Sequence, residues 1–242
     1  MRKTLLLSAI IALVTTIGSA QTTIPDNTNI NGNWTLANSP YIIEGRAIVP
    51  LGQTLTIEPG VDVRLKPSTS TTPSWFNYDS GNIGVLRVQG EIIANGTVAD
   101  PIVFTRNSNG FWGVILIDEN ASSSSSFSNC VIEWAKESRN VTGIPSPVSF
   151  NGGISIYKSS ISINKNEFRN NNNNGMYIRE ATNSFNFSNN TYHSNGSNGN
   201  AIEQSTVNAI NNTYYNNSNN ASEQVAAIHS SNSTVYLVGN LI

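Results

Sequence analysis

Cysteine is almost absent from this 242-residue chain: Cys130 stands alone. No internal disulfide can staple the fold, so stability has to come from packing and hydrogen bonds, and the thiol reads as a small buried hydrophobe. Charge is scarce as well. Lys, Arg, Asp and Glu together make 12% of the residues, the formal net charge is −2, and no basic patch is interleaved with aromatics, which excludes electrostatic nucleic-acid binding. Ala, Leu, Glu and Lys are too sparse for a coiled coil or helical bundle. Asp is missing from Glu119 to the C-terminus. No Ser/His/Asp order, Cys/His pair, metal-ligand spacing or phosphate-cradling Gly loop occurs. What the chain has in excess is Asn, 37 residues of it. Apolar residues reach 38%, enough for a core.

The N-terminus carries a transport signature. Arg2 and Lys3 precede a mainly apolar run from Leu5 to Ile17, and Gly18-Ser19-Ala20 supplies a small-residue exit. This pattern predicts a secretory leader over residues 1–20, cut after Ala20, hence a secreted or cell-surface chain with no membrane insertion after cleavage. The run is too short for a spanning helix, and Ser8, Thr15 and Thr16 interrupt it.

A repeat runs through the second half. Asn followed two residues later by a large apolar residue recurs at Asn129, Asn166, Asn190, Asn212 and Asn240, spaced 37, 24, 22 and 28 residues apart. Alternating apolar pairs precede the last four: Ile161/Ile163, Phe185/Phe187, Val207/Ala209 and Val235/Leu237. Earlier again stand Ile156, Ile178, Ile202 and Ile228. The alternation is that of strands, and Ser, Thr, Asn and Gly interrupt it too often for helices. An all-β fold follows, a single-stranded solenoid of about 22–28 residues per regular coil, wound as a right-handed parallel β-helix. The 37-residue spacing implies a loop, placed at 135–152. Asn suits the left-handed corners of such coils, and stacked amides can bond the copy above and below.

The first half reads as opening coils over 41–134, after a lead-in over 21–40. Leu55 to Leu65 forms two alternating strands broken by Pro59-Gly60; Val85 to Val88, Glu91 to Asn95, Pro101 to Thr105, Trp112 to Ile117 and Asn129 to Glu133 follow in order. These segments resemble secreted bacterial right-handed parallel β-helix proteins of the pectin-lyase-like superfamily, and the Asn-rich coils over 153–242 continue the pattern. The resemblance implies a fold shared by pectate lyases, polygalacturonases, epimerases, tailspikes and adhesins, so function has to come from the site. The pattern breaks off mid-coil at Ile242, and that end is expected to be covered by further sequence or by a partner.

Two candidate sites emerge. Following the aligned isoleucines, Arg179, Glu203 and His229 should stack on one face, with Lys158 and Glu180 in the next column. This is first a ladder of opposite charges; it is otherwise a sugar-binding patch, or, with Glu180 and Glu203 as acid and base, a catalytic pair. The second candidate is Trp75, Phe76 and Tyr78, in a polar stretch thrown out between Pro67 and Gly84, whose rings can stack on sugars or fold back on the coil. Asp118-Glu119 reads as a solvated turn. The reading these features favour is a secreted structural or binding module for polysaccharide or cell-surface glycan, without catalysis and without a cofactor. Its rival is a polysaccharide lyase, hydrolase or epimerase with a weak site, and only there would Ca²⁺ enter.

Overall fold

The computed structural model describes residues 20–68, 76–78, 83–144, 148–218 and 226–242. The expected leader, apart from Ala20, and Trp75 lie outside them. The chain winds through three eight-stranded parallel sheets, visiting first, second and third in strict rotation. One turn is Thr22–Ile24, Thr28–Asn29 and Gly32–Trp34; the last is Thr213–Tyr215, Ile228–Ser231 and Thr234–Val238. This is the right-handed parallel β-helix that the sequence predicts. Its first turn already forms within 21–40, which is therefore coil and not lead-in.

Alternation decides what faces inward. In Thr54–Ile57 the side chains of Leu55 and Ile57 enter the core while Thr54 and Thr56 face out. The same rule buries Val63 and Leu65, Ile115 and Ile117, Ile154 and Ile156, Phe185 and Phe187, each worth roughly 1.5–3 kcal/mol when fully removed from water. Identical positions stack along the axis. Phe168, Tyr192 and Tyr214 form a column with ring centroids 4.8 and 5.0 Å apart, the spacing of neighbouring strands.

The corners follow a two-residue rule. One residue takes a left-handed backbone, and the next turns its side chain inward. Lys165, Asn189 and Asn211 have φ of 59°, 57° and 53°, and each precedes a buried Asn: Asn166, Asn190 and Asn212. The Oδ1 of Asn190 accepts from the backbone N–H of Asn166 at 2.9 Å and from its Nδ2 at 3.1 Å, and Asn190 bonds Asn212 in the same way. Asn171, Asn195 and Asn217 form a second ladder behind Asn170, Ser194 and Asn216. The register corrects one anchor. Cys130, not Asn129, occupies the ladder position, because its N–H donates to Asn166 Oδ1 and Ile132 pairs with Phe168.

The expected loop at 135–152 also acquires structure. Ser138–Arg139 pairs antiparallel with Ser149–Phe150 and parallel with Phe76–Asn77, so the two excursions from the solenoid join in one small sheet.

Candidate functional site

The joined excursions lie on the outer face of the second sheet. There Val85, Val114, Leu116, Tyr157, Tyr177 and Ala201 point away from the solenoid core and meet Tyr78, Val141 and Phe150 in a second apolar cluster. Tyr78 is only 4% exposed, which corrects its reading as a sugar platform: burying an aromatic ring in an apolar cluster outweighs presenting it. Phe76 enters a strand of the small sheet. Beneath this roof Arg87 Nε and Nη2 donate to Asp118 Oδ2 at 2.7 and 2.5 Å, Gln89 Nε2 adds a third contact at 3.2 Å, and Arg87 Nη1 reaches the carbonyl of Thr142 at 2.9 Å. Asp118 is 1% exposed, not a solvated turn. It holds the cation that ties the second excursion down.

Beyond the roof the same face opens. Arg179 pairs with Glu203 across adjacent strands, as expected, but the next rung is Ser231. His229 pairs with Ala201 instead, two residues away from its predicted place, because Ser230 rather than Ile228 follows Ile202 in the column. The charges that do meet are closely tied. Arg179 Nη1 donates to Glu203 Oε2 at 2.7 Å and Arg179 Nε to Glu180 Oε1 at 3.1 Å; the Tyr177 hydroxyl donates to Glu203 Oε2 at 2.9 Å. Lys158 lies 3.9 Å from Glu180 and 3.7 Å from Glu119. Burial, foremost, raises the Tyr177 pKa, and the hydrogen bond with Tyr177 leads the causes that raise that of Arg179. Glu180 and Glu203 thus share one guanidinium. Such sharing makes a charge ladder; acid and base around a scissile bond need an open gap between them.

A comparable column on the first sheet escapes the sequence reading. Arg169 Nε donates to Glu133 Oε2 at 2.8 Å and its Nη1 to Glu167 Oε1 at 3.0 Å; His193 Nε2 lies 2.8 Å from the same Glu167 oxygen. His193 then stacks on Tyr215, centroids 4.7 Å apart. Burial works to raise the Glu167 carboxyl, but the His193 hydrogen bond and the Arg169 charge outweigh it and bring its pKa below the ordinary value. A signal was available: Arg169, His193 and Tyr215 each follow an aligned aromatic, just as Arg179 and Glu203 follow an aligned isoleucine.

The third sheet differs. From Ser126–Ser128 through Ser162–Asn164 and Ser184–Ser188 to Thr206–Ile210, its outward positions are Ser, Thr and Asn, with Ile210 the exception. A groove of about 600 Å³ runs along its corner with the second sheet, lined by Asn183, Ser184, Gln204, Thr206, Asn232 and Thr234 among others. A second groove, about 530 Å³, follows the opposite corner and includes Lys165, Glu167 and Thr191. Among the described residues no group of three or more His, Cys, Asp or Glu side chains stands close enough to hold a metal ion.

Three parallel sheets wound in rotation define the class: this is a right-handed parallel β-helix. Residues 28–139 match the family model described as a pectate-lyase like beta helix domain. The later coils continue the same three sheets without a break in order. No curated protein and no solved structure matches the chain.

Proposed function

We propose that this chain is a secreted β-helix module that holds polysaccharide or cell-surface glycan along its outside and does not cleave it. One observation supports this most: Glu180 and Glu203, the best-placed carboxylates for acid and base, are both bonded to Arg179. A surface whose charges are satisfied from coil to coil is suited to presenting a fixed shape, and a reacting site needs groups free to move protons. Rigid strands carry that surface, and the amide ladders keep the strands in register.

The test is electrophoresis of the chain through native gels containing pectin, alginate, xylan, chitosan or no polymer, with and without Ca²⁺, followed by staining for the polymer. Retardation with the stain intact is the expected result. A cleared halo around the band would replace binding by cleavage and direct substitution to Glu180 and Glu203. Unchanged mobility in every gel would refute glycan binding.

A further inference from the structure

We infer that the glycan is uncharged and lies on the third-sheet face and its 600 Å³ corner groove. This rests on the binding reading above and narrows it to a chemical class. Charge is what separates the three faces along the later turns; Glu91 stands earlier on the third. The first carries Glu133, Arg169, Glu167 and His193; the second carries Lys158, Arg179, Glu180 and Glu203. From Ser126 to Val238 the strands of the third present only hydroxyls and amides, apart from Ile210, Tyr236 and Val238.

The columns are regular. Ser126 is followed by Ser162, then Asn186 and Asn208; Ser184 is followed by Thr206 and Thr234. Successive members sit about 4.8 Å apart, the strand spacing of a sheet. Neighbours already orient one another: Asn208 Nδ2 donates to Asn186 Oδ1 at 2.6 Å and to Ser184 Oγ at 3.1 Å, and Asn189 Nδ2 donates to Asn164 Oδ1 at 2.9 Å. Hydroxyls and amides both give and accept hydrogen bonds, as sugar hydroxyls do. The groove residues come from three successive turns, around Asn183, Gln204 and Asn232, so it runs along the axis and suits a chain rather than a single ring. Its volume falls in the range of ligand sites.

An acidic polymer fits this face badly. Each uronate carboxylate pressed into the corner groove would lose water with no cation in the groove lining to pair it, and unpaired buried charge is costly. The cations beside the corner groove, Lys158 and Arg179, face Glu119, Glu180 and Glu203 instead, and Lys165 stands at the opposite corner of the sheet.

The experiment compares retardation by a soluble uncharged β-glucan and by xylan with retardation by polygalacturonate and alginate, for the wild-type chain and three variants. Thr206→Lys and Thr234→Lys each place a charge on the groove; Thr213→Lys places one on the first sheet. All positions face outward, and thermal melts confirm that each variant folds. The inference expects retardation by a neutral polymer, weakened at least about tenfold by either groove variant and unchanged by Thr213→Lys. Retardation by the acidic polymers alone would overturn the neutral class and leave the binding reading standing. Retardation by none would overturn both. A concentration-dependent dimer that Thr206→Lys abolishes would make a second copy the occupant of this face and overturn the inference.

Discussion

Asn190 shows how much one residue holds in this fold. Fully buried, it accepts from Asn166 and donates to Asn212 Oδ1 at 3.1 Å and to the carbonyl of Ile163 at 3.3 Å. Asn190→Ala removes every one of these bonds and strands groups on three turns, so it should cost about 2–4 kcal/mol, read as a lowered urea midpoint. Asn190→Asp keeps the shape and the acceptor but directs a carboxylate at two oxygens it cannot bond. Near neutral pH it should be worse than the alanine, and the gap should close as acid protonates the carboxyl. A midpoint higher for the aspartate at neutral pH would show that the ladder is not the source of the stability. The ladder itself was legible in the spacing of Asn166, Asn190, Asn212 and Asn240. Its start was not, because Cys130 takes the same place with a backbone donor, which no side-chain pattern reveals.

Between residue and molecule stands the coil, and here the columns matter. Glu167 joins three turns through Arg169 and His193, and its carboxyl titrates below its ordinary value. A lowered carboxylate pKa contributes stability above the unfolded value near 4.5 and loses it as pH falls through the lower folded value. The melting temperature should therefore fall on the acid side, and Glu167→Gln should flatten part of that limb while lowering stability near neutrality. Parallel acid limbs for the two proteins, measured between about pH 3 and pH 7, would remove Glu167 from the account. Strand alternation made the inward face of each coil readable from sequence, and the Arg179–Glu203 rung with it. The place of His229 was misread because Ile228 offers an apolar residue two positions before the true partner of Ile202, Ser230. Tyr78 and Asp118 were misread for another reason. Their partners are Phe150 and Arg87, distant in sequence, and only the winding of the chain brings them together.

At the scale of the whole molecule, the solenoid has to resist opening without a disulfide, and Cys130 reports how well it does. The thiol is 1% exposed, donates to the carbonyl of Ala94 at 3.1 Å, and is pushed up to about 12 by burial. Thiolate is the reactive form, so neither access nor ionisation favours attack on the folded chain. Labelling by an aromatic disulfide reagent should then be orders of magnitude slower than in concentrated urea, and its rate should follow the population of opened molecules. Asp118→Ala leaves Arg87 buried without its main partner, a loss of about 3–5 kcal/mol in comparable settings, and it also frees the anchor at the Thr142 carbonyl. If the two excursions brace the coils they cover, this variant should accelerate labelling of Cys130 even though the thiol lies on the first sheet, away from the roof. Unchanged labelling alongside a lowered melting temperature would mean that the roof unfolds alone and the solenoid keeps its coils closed by the ladders within it.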